Sequence, residues 1–421
     1  MQRSILGLAV LTTLWFALVT AAWADNTVFV RTGKASFKGP GSKDVTRFRL
    51  MATTRRQVLE DVARFMASLP VIKGTGLSRG DILGMATGLV TPQILWQRDY
   101  ATSEAFGTFV KAKAALDRER LESAMGRLIR DPTVLEKYGE IQAREALLLK
   151  RLDALEGRNW GGTGKGATLA TAFDALKRSF RALEWNRKAV GLWRGGICRD
   201  PVKALTYLNQ SIRLDPGDAA SLHSRGQVLA RKGYPELAIT EFTKALGLMS
   251  RYPAPYAHRG DVWLEKGLWK RAASDYAAAL NLNPSYAAAL NGMARLLTLC
   301  PDPDVRDPEK AVVFARKAVA VFPRAAHLRT LARAYEAMGN RKAATDARER
   351  AAKQEQEAEY TFTLREVSDL LGCSRRLLGR MIRSGGLKAA RVGNDYRISR
   401  ADLEAFWRAR GGGRLLSEDV R

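Results

Sequence analysis

DAASLHSRGQVLARKGYPELAITEFTKALGLMSRYPAPYAHRGDVWLEKGLWKRAASDYAAALNLNP, residues 218–284, returns to the same pattern every 34 residues. Ala238 and Ala272 share that spacing and extend it back to Ala204, and Leu208, Phe242 and Tyr276 follow each by four. Gly226 and Gly260 form a second column, three residues before Leu229 and Trp263. An interval of this length is one supersecondary unit, too small to bury its own apolar face, so neighbouring units must stack. Each unit reads as two short antiparallel helices, with small residues where the helices cross and large apolar residues between them. Working outward, Pro301–Val305 is an insertion that delays Ala311, Ala315 and Ala318, and Pro323 closes that unit. A last unit carries Leu331, Tyr335, Gly339 and Ala344, so the repeats span about Arg199 to Lys353.

These columns resemble the tetratricopeptide repeat, including its closing prolines at Pro216, Pro284 and Pro323. Leu208 and Ser211 mark a degenerate first unit, and no proline closes the unit near Ser250. The resemblance implies an α-solenoid whose concave face binds a protein or peptide. The fifth and ninth residues of each first helix lie one turn apart and would line that face: His223 and Gln227, Ala257 and Asp261, Asn291 and Arg295, Arg329 and Arg333. The basic end is similar to the carboxylate-holding clamps of some relatives, which makes an acidic peptide the expected partner.

A chain of 421 residues accommodates about two to four domains. Its formal charge of +26 is dispersed along the sequence, which suits solubility or weak contact with anionic lipid or nucleic acid without locating a site. Cys198, Cys300 and Cys373 form no CxxC pair and stand with only three histidines, so neither a metal site nor a disulfide framework is expected. Isolated cysteines of this kind read as small buried apolar residues. The string NWGGTGKGAT, residues 159–168, fails as a phosphate-binding loop: Asn159 stands where glycine is needed and Gly166 where Ser or Thr is needed, and a helix precedes it. No catalytic triad, carboxylate pair in context or cofactor loop is found, and neither an enzyme nor a cofactor is expected.

At the N-terminus, Arg3 precedes the apolar run Ile5–Val19, and Ala22-Trp23-Ala24 offers small residues where a signal peptidase cuts. Residues 1–24 therefore read as an export signal, with the mature chain in the periplasm or cell envelope. The alternative is a membrane anchor. Arg31, Lys34, Lys38, Lys43, Arg47 and Arg49 flank the run and would favour a cytoplasmic body by the positive-inside rule.

Residues 25–131 read as a small α/β domain: a strand over Val28–Phe37 and a long helix with Phe48, Met51, Val58, Val62, Phe65 and Leu69 on one stripe. A short helix capped by Ser78 follows over about Ile82–Met85, then strands over Leu89–Trp96 and Phe106–Ala114. The strings GKASFKGPGSKDVTRFRLMATTRRQVLEDVARFM, LSRGDILGMATGLV and FGTFVKAKAALD resemble the N-terminal domain of bacterial envelope proteins such as flagellar assembly protein T and small outer-membrane lipoproteins. Those relatives are periplasmic, which implies export here.

After Asp131-Pro132, residues 132–156 read as a helix with Leu135, Tyr138, Ile141, Leu148, Leu152 and Leu155 on one stripe, packing on its own domain or the repeats, or forming a short coiled coil. Residues 157–168 read as a Gly-rich linker. The helical region then spans 169–353, with separate helices near Ala172–Leu183 and Lys188–Leu192 and repeats from about residue 185.

The C-terminal module covers residues 360–409. Thr363 and Glu366 form a capping box for a helix that Gly372 ends, and Ser374 caps a second helix with Leu377, Leu378, Met381 and Ile382 inward and Arg375, Arg376, Arg380 and Arg383 outward. A hairpin about Gly393-Asn394 and a helix capped by Ser399 complete it, with Leu403, Phe406 and Trp407 closing the core. The string TLREVSDLLGCSRRLLGRMIRSGGLKAARVGNDYRISRADLEAFW resembles the excisionase-type winged helix-turn-helix family, related to MerR-type regulators. That resemblance implies binding to double-stranded DNA, with Ser374, Arg375, Arg376 and Arg380 on the groove-entering helix and Arg391 and Arg397 on the wing. Gly379 inside the helix and Asp395 near the wing tip depart from the pattern. The expectation is thus a mostly α protein: a tetratricopeptide α-solenoid with a small N-terminal α/β domain and a C-terminal winged helix-turn-helix. It would act as an interaction scaffold, or alternatively as a DNA-binding regulator that uses its repeats as sensor or oligomerisation surface.

Overall fold

The computed structural model describes residues 26–410 apart from 38–41, 103–104, 130, 157–164, 195–196, 372 and 393–394. Residues 1–24, read as signal or anchor, and the wing tip lie outside the described residues, as does most of the Gly-rich stretch. Contacts divide the chain into two compact units, the first ending at residue 129 and the second running from residue 130 and taking in residues 39–45 as well.

The first unit comprises β1 (Asn26–Ser36), α1 (Lys43–Ser68), α2 (Arg79–Leu89), β2 (Gln93–Ala101), β3 (Phe106–Asp117) and α3 (Arg118–Ile129). β3 is the central strand, antiparallel to both neighbours. Val110, Ala112, Ala114 and Leu116 are buried at every second position, as a strand covered on one face requires. α1 supplies that cover at β1. Phe29 and Phe65 rings lie 5.6 Å apart, Arg31 Nη2 donates to Asp61 Oδ1 at 2.8 Å, and a Cβ on Gly33 would sit 2.5 Å from Thr54 Oγ1. Of the expected stripe, Val58, Val62 and Leu69 are buried, and Ser78 caps α2 in a reciprocal capping box with Asp81. Leu89 belongs to α2 rather than to a strand: Val90 N–H donates to Ala86 O, and Pro92, which has no N–H, separates helix from strand. α3 has no counterpart in the sequence reading, although Leu121, Met125 and Leu128 are buried at helical spacing.

The second unit opens with α4 (Pro132–Glu156), α5 (Lys165–Val190) and the short ladder of β4 (Trp193–Arg194) and β5 (Ile197–Cys198). It continues with α6 (Pro201–Leu214), α7 (Ala219–Arg231), α8 (Pro235–Leu248), α9 (Pro253–Glu265), α10 (Trp269–Leu282), α11 (Ala287–Leu299), α12 (Pro308–Val321), α13 (Ala325–Ala337) and α14 (Arg341–Glu359). Successive helices from α5 pair as hairpins and stack as an α-solenoid of the expected tetratricopeptide type. Period and packing agree: Ala204, Ala238 and Ala272 are fully buried, and a Cβ on Gly226 or Gly260 would lie 2.6 Å from the Phe242 ring or 2.8 Å from the Tyr276 ring. Turns within hairpins share one device. Gly233, Gly267 and Gly339 take φ near +81°, +71° and +81°, and the next N–H donates back to Leu229 O, Trp263 O and Tyr335 O. In the α11–α12 turn the inserted segment replaces glycine, with Asp307 N–H bonded to Leu297 O and the Asp307 carboxylate capping α12.

Two boundaries differ from the sequence expectation. One continuous α5 replaces the two helices expected within 172–192, because the Asn186 amide is used by Ser221 Oγ (2.6 Å) and does not compete with its own backbone. Lys165–Thr168, expected in the linker, form the first turn of α5. Ser211, the departure in the degenerate unit, donates to Ala182 O (2.8 Å) and meets Ser221 Oγ (2.9 Å), so a polar joint replaces an apolar one.

The chain ends with β6 (Tyr360–Thr363), α15 (Leu364–Leu371), α16 (Arg375–Arg383), β7 (Ala390–Val392), β8 (Asp395–Ser399) and α17 (Arg400–Arg408). The sheet order β6-β8-β7 adds a strand to the expected hairpin and makes a winged helix-turn-helix. Val367, Leu378, Leu387, Ile398, Leu403 and Phe406 form its core, while Trp407 is half-buried.

Candidate functional site: a helix-filled groove and an arginine-lined helix

The inner helices of the repeats, α7, α9, α11 and α13, are each preceded by one residue in a repeating position: Asp218, Tyr252, Tyr286 and Arg324. α4 lies against this column, running counter to the order of the repeats. Asp131, just before α4, is 4.0 Å from Arg324; Glu136 accepts from Tyr286; Glu140 accepts from Tyr252; and Arg144 Nη2 donates to Asp215 Oδ2 at 2.9 Å, with its charge also acting on Asp218. About one helical turn of α4 thus serves each repeat. The rise of an α-helix puts Asp131 and Arg144 roughly 20 Å apart, while their partners are separated by more than a hundred residues of chain.

Between the rungs, Lys137 enters the concave wall. Its Nζ donates to Gln227 Oε1 (2.6 Å) and Ser224 Oγ (3.2 Å) and lies 4.6 Å from the Trp193 ring centroid. One tautomer assignment satisfies the contacts beyond it. Gln227 Nε2 donates to His258 Nε2 (2.7 Å); His258 Nδ1 donates to Ala254 O (2.9 Å) and faces His223 Nε2 (3.1 Å); His223 Nδ1 donates to Tyr252 Oη (3.0 Å). The Tyr252 hydroxyl then donates to Glu140, closing a circuit that begins and ends on α4. Both imidazoles are neutral in it, and burial pushes both below the usual histidine range, His258 to about 4. Burial pushes the Glu140 carboxyl up to about 7 against the pull of the Lys137 ammonium, and lowers Lys137 against the pull of Glu140 and Glu136. Removing one member of such a pair would leave its partner's charge buried and uncompensated.

The sequence-chosen groove residues therefore divide. His223 and Gln227 lie on the wall that α4 covers, and both are buried. Ala257 is buried as well. Arg295 Nη1 donates to Asp261 Oδ1 (3.1 Å), which also accepts from Tyr276 (2.8 Å). Asn291 Oδ1 is buried with no hydrogen-bond partner among the described residues. Arg329 pairs with Glu355, and with Arg333, Glu336 and Arg348 it lines a cavity of about 370 Å³ at the α13–α14 end. The sequence reading missed Glu136, Lys137, Glu140, His258, Tyr252 and Tyr286. Tyr252 and Tyr286 stand 34 residues apart, and that column was the available signal.

In the C-terminal module, α16 is capped by Ser374, whose hydroxyl accepts from Leu377 N–H at 3.3 Å. Arg375, Arg376, Arg380 and Arg383 are exposed, while Leu378 and Gly379 are buried. Arg391 on β7 is exposed; Arg397 and Asp395 lie on β8, and their side chains lie outside the described residues. Among the described residues no group of His, Cys, Asp and Glu is placed to hold a metal ion.

Residues 361–411 match the family model of the helix-turn-helix domain. Uncharacterized proteins of Mycobacterium tuberculosis and Mycobacterium bovis are 44% identical over 50 residues, which is 12% of this chain and 44% of theirs. The match thus spans less than half the length of these relatives. Among solved structures, the chain is similar to MamA from Desulfovibrio magneticus RS-1 (24% identity over 44% of this chain and 96% of that one, TM-score 0.32). It is also similar to a thermophilic TPR protein of Thermus thermophilus (17%, 43% and 91%, TM-score 0.34) and to pilF of Pseudomonas aeruginosa (17%, 50% and 90%, TM-score 0.36).

Proposed function

We propose that this chain is a non-enzymatic scaffold that holds a protein partner on its repeats. The ladder of Asp218, Tyr252, Tyr286 and Arg324 along α4 supports this reading, since it is a groove that already recognises a helix by its charge order. α4 covers His223 and Gln227, so an incoming acidic segment has the end near Arg295, Arg329 and Arg333. The test is binding of a labelled acidic peptide to the full chain. Arg295→Glu with Arg333→Glu should abolish it, and unchanged binding would contradict an acidic partner at this end.

A second activity is favoured by the helix-turn-helix match together with the exposed arginines of α16: binding of duplex DNA. Arg375, Arg376 and Arg380 would approach base edges, where the guanidinium fork pairs with guanine, and Arg391 and Arg397 would meet phosphates. Each phosphate contact adds about 0.9 to the slope of log affinity against log salt. Arg376→Ala should relax sequence preference, Arg397→Ala should flatten the salt slope, and Asp395→Arg should tighten binding. A folded chain without salt-dependent DNA binding at ~50 mM salt would make this module a protein-contact domain.

The proposal includes export, with the mature chain beginning near Asp25, on the strength of the Ala22-Trp23-Ala24 site and the envelope-type pattern of the first domain. Among the described residues no helix is long and apolar enough to cross a membrane. Mass spectrometry of the native N-terminus decides the point. A chain starting at Met1 or Gln2, with its C-terminal module shielded from external protease, would establish the anchored form with a cytoplasmic body.

A further inference from the structure

The sheet of the first unit has one face under α1 and one face open. Register separates them: Phe29, Arg31 and Gly33 of β1 meet α1, so Val28, Val30, Thr32 and Lys34 point away from it, beside Ala115, Lys113, Lys111 and Phe109 of β3. β2 completes the open face with Gln93, Trp96, Arg98 and Tyr100.

We propose that this open sheet face is a docking surface for an anionic lipid bilayer. Its cations are Lys34, Arg98, Lys111 and Lys113; its one carboxylate among the described residues, Asp117 at the far end of β3, accepts from Arg120 N–H (2.9 Å) at the start of α3. The one acid of β2, Asp99, pairs with Thr108 on the covered side and bonds Arg47 of α1. Apolar groups are interleaved with the cations and are not withdrawn from water: Val28 is 49% exposed, Val30 45% and Trp96 36%. Aliphatic and indole groups beside lysine and arginine suit the headgroup boundary, where rings sit at the interface and long cationic side chains reach phosphate.

Stacking of single-stranded nucleic acid is the competing use of a basic, aromatic sheet. It needs bare ring faces, and here the rings are already taken: Lys34 Nζ lies 4.8 Å from the Tyr100 centroid and 5.4 Å from that of Phe109, and Arg98 is 5.7 Å from that of Trp96. A bilayer asks only for the cations and the exposed apolar groups. Continuity adds to the case. β1 starts at Asn26, two residues past the apolar run of residues 5–24, so before that run is cleaved off the strand is held within about 7 Å of chain reach of the membrane.

The experiment is co-sedimentation of the full chain with phosphatidylcholine vesicles and with vesicles containing ~30% phosphatidylglycerol, in low and high salt. Residues 1–24, with Arg3 as their one charged side chain, are the same in every variant, so the readout is the change in anionic preference between the wild-type chain and the double variant. The wild-type chain should prefer anionic vesicles, and Lys111→Glu with Lys113→Glu should reduce that preference by more than ~tenfold, since each basic residue near the surface is worth about 1 kcal/mol. Trp96→Ala should weaken binding without altering its salt dependence. Circular dichroism confirms that these surface variants fold. Equal partition onto both vesicle types, or an unchanged preference in the folded double variant, overturns the proposal. So does binding of a labelled oligothymidine that the double variant loses while its vesicle preference persists, a result that would assign the face to nucleic acid.

Discussion

Protons should act on the α4 circuit with two opposing signs, and single substitutions should separate them. Glu140, raised to about 7 from an ordinary 4.5, binds its proton more tightly in the folded state, so its contribution is fully present below pH 4.5 and is lost as pH rises through about 7. His258, lowered to about 4 from 6.5, contributes above pH 6.5 and loses that contribution as pH falls through about 4. Between ~pH 7.5 and ~pH 5, linkage gives each group a change of about 2 kcal/mol, an upper bound because both retain some solvent contact. Glu136 and Asp218 are raised like Glu140, and His223 is lowered like His258. Tyr252, Tyr286 and Cys198 are raised by burial and stay neutral, and the Lys137 charge acts on Glu140, Glu136, Cys198, His223 and His258. Wild-type stability should therefore vary little across this window. Relative to wild type, Glu140→Gln should be about 2 kcal/mol better placed at ~pH 7.5 than at ~pH 5, and His258→Gln should show the opposite trend. Urea unfolding followed by circular dichroism at the two pH values measures both differences. If neither difference depends on pH, the two groups do not titrate inside a closed circuit and the reasoning fails.

Other substitutions test the packing and the C-terminal module. Gly226→Ala or Gly260→Ala places a methyl 2.6 Å or 2.8 Å from an aromatic ring and should cost about 1–3 kcal/mol by urea titration. Arg259→Ala strands the Asp275 carboxylate, now held at 2.8 Å by both Nε and Nη2; the loss should be about 3 kcal/mol, and Asp275→Asn should restore part of it. Gly379→Ala adds a Cβ whose nearest neighbour is Arg383 Nη1 at 3.5 Å, so it should stabilise α16 by about 1 kcal/mol, read as a higher melting temperature of the module. A lower melting temperature would mean that the site needs glycine for a reason beyond space.

Periodicity made the solenoid legible, because helices that cross closely demand small residues at fixed places. Ala238, Gly226 and Phe242 report one crossing three times, and each recurs 34 residues on. The winged module was legible through its caps at Ser374 and Ser399, although β6 was not: four residues, Tyr360–Thr363, acquire strand character only by pairing with β8. The stripe of α4 was likewise legible from Leu135 to Leu155. Its polar side was not. Glu136, Lys137, Glu140 and Arg144 look like a solvated helix face, and charged residues rarely go inside unless paired. Their partners, at residues 215–286, are distant in sequence and carry no local mark of the pairing. His223 and Gln227 lie on the wall that α4 covers, and nothing near them in sequence announces that α4 is there.

The most direct test of the account is a double-mutant cycle between Lys137→Met and Gln227→Leu, 90 residues apart in sequence and joined at 2.6 Å. If α4 sits in the groove of the repeats, the two changes should be coupled by about 1–3 kcal/mol in urea unfolding of the full chain. Strictly additive effects, within about 0.3–0.5 kcal/mol, would mean that Lys137 does not reach the concave wall and that α4 does not fill the groove.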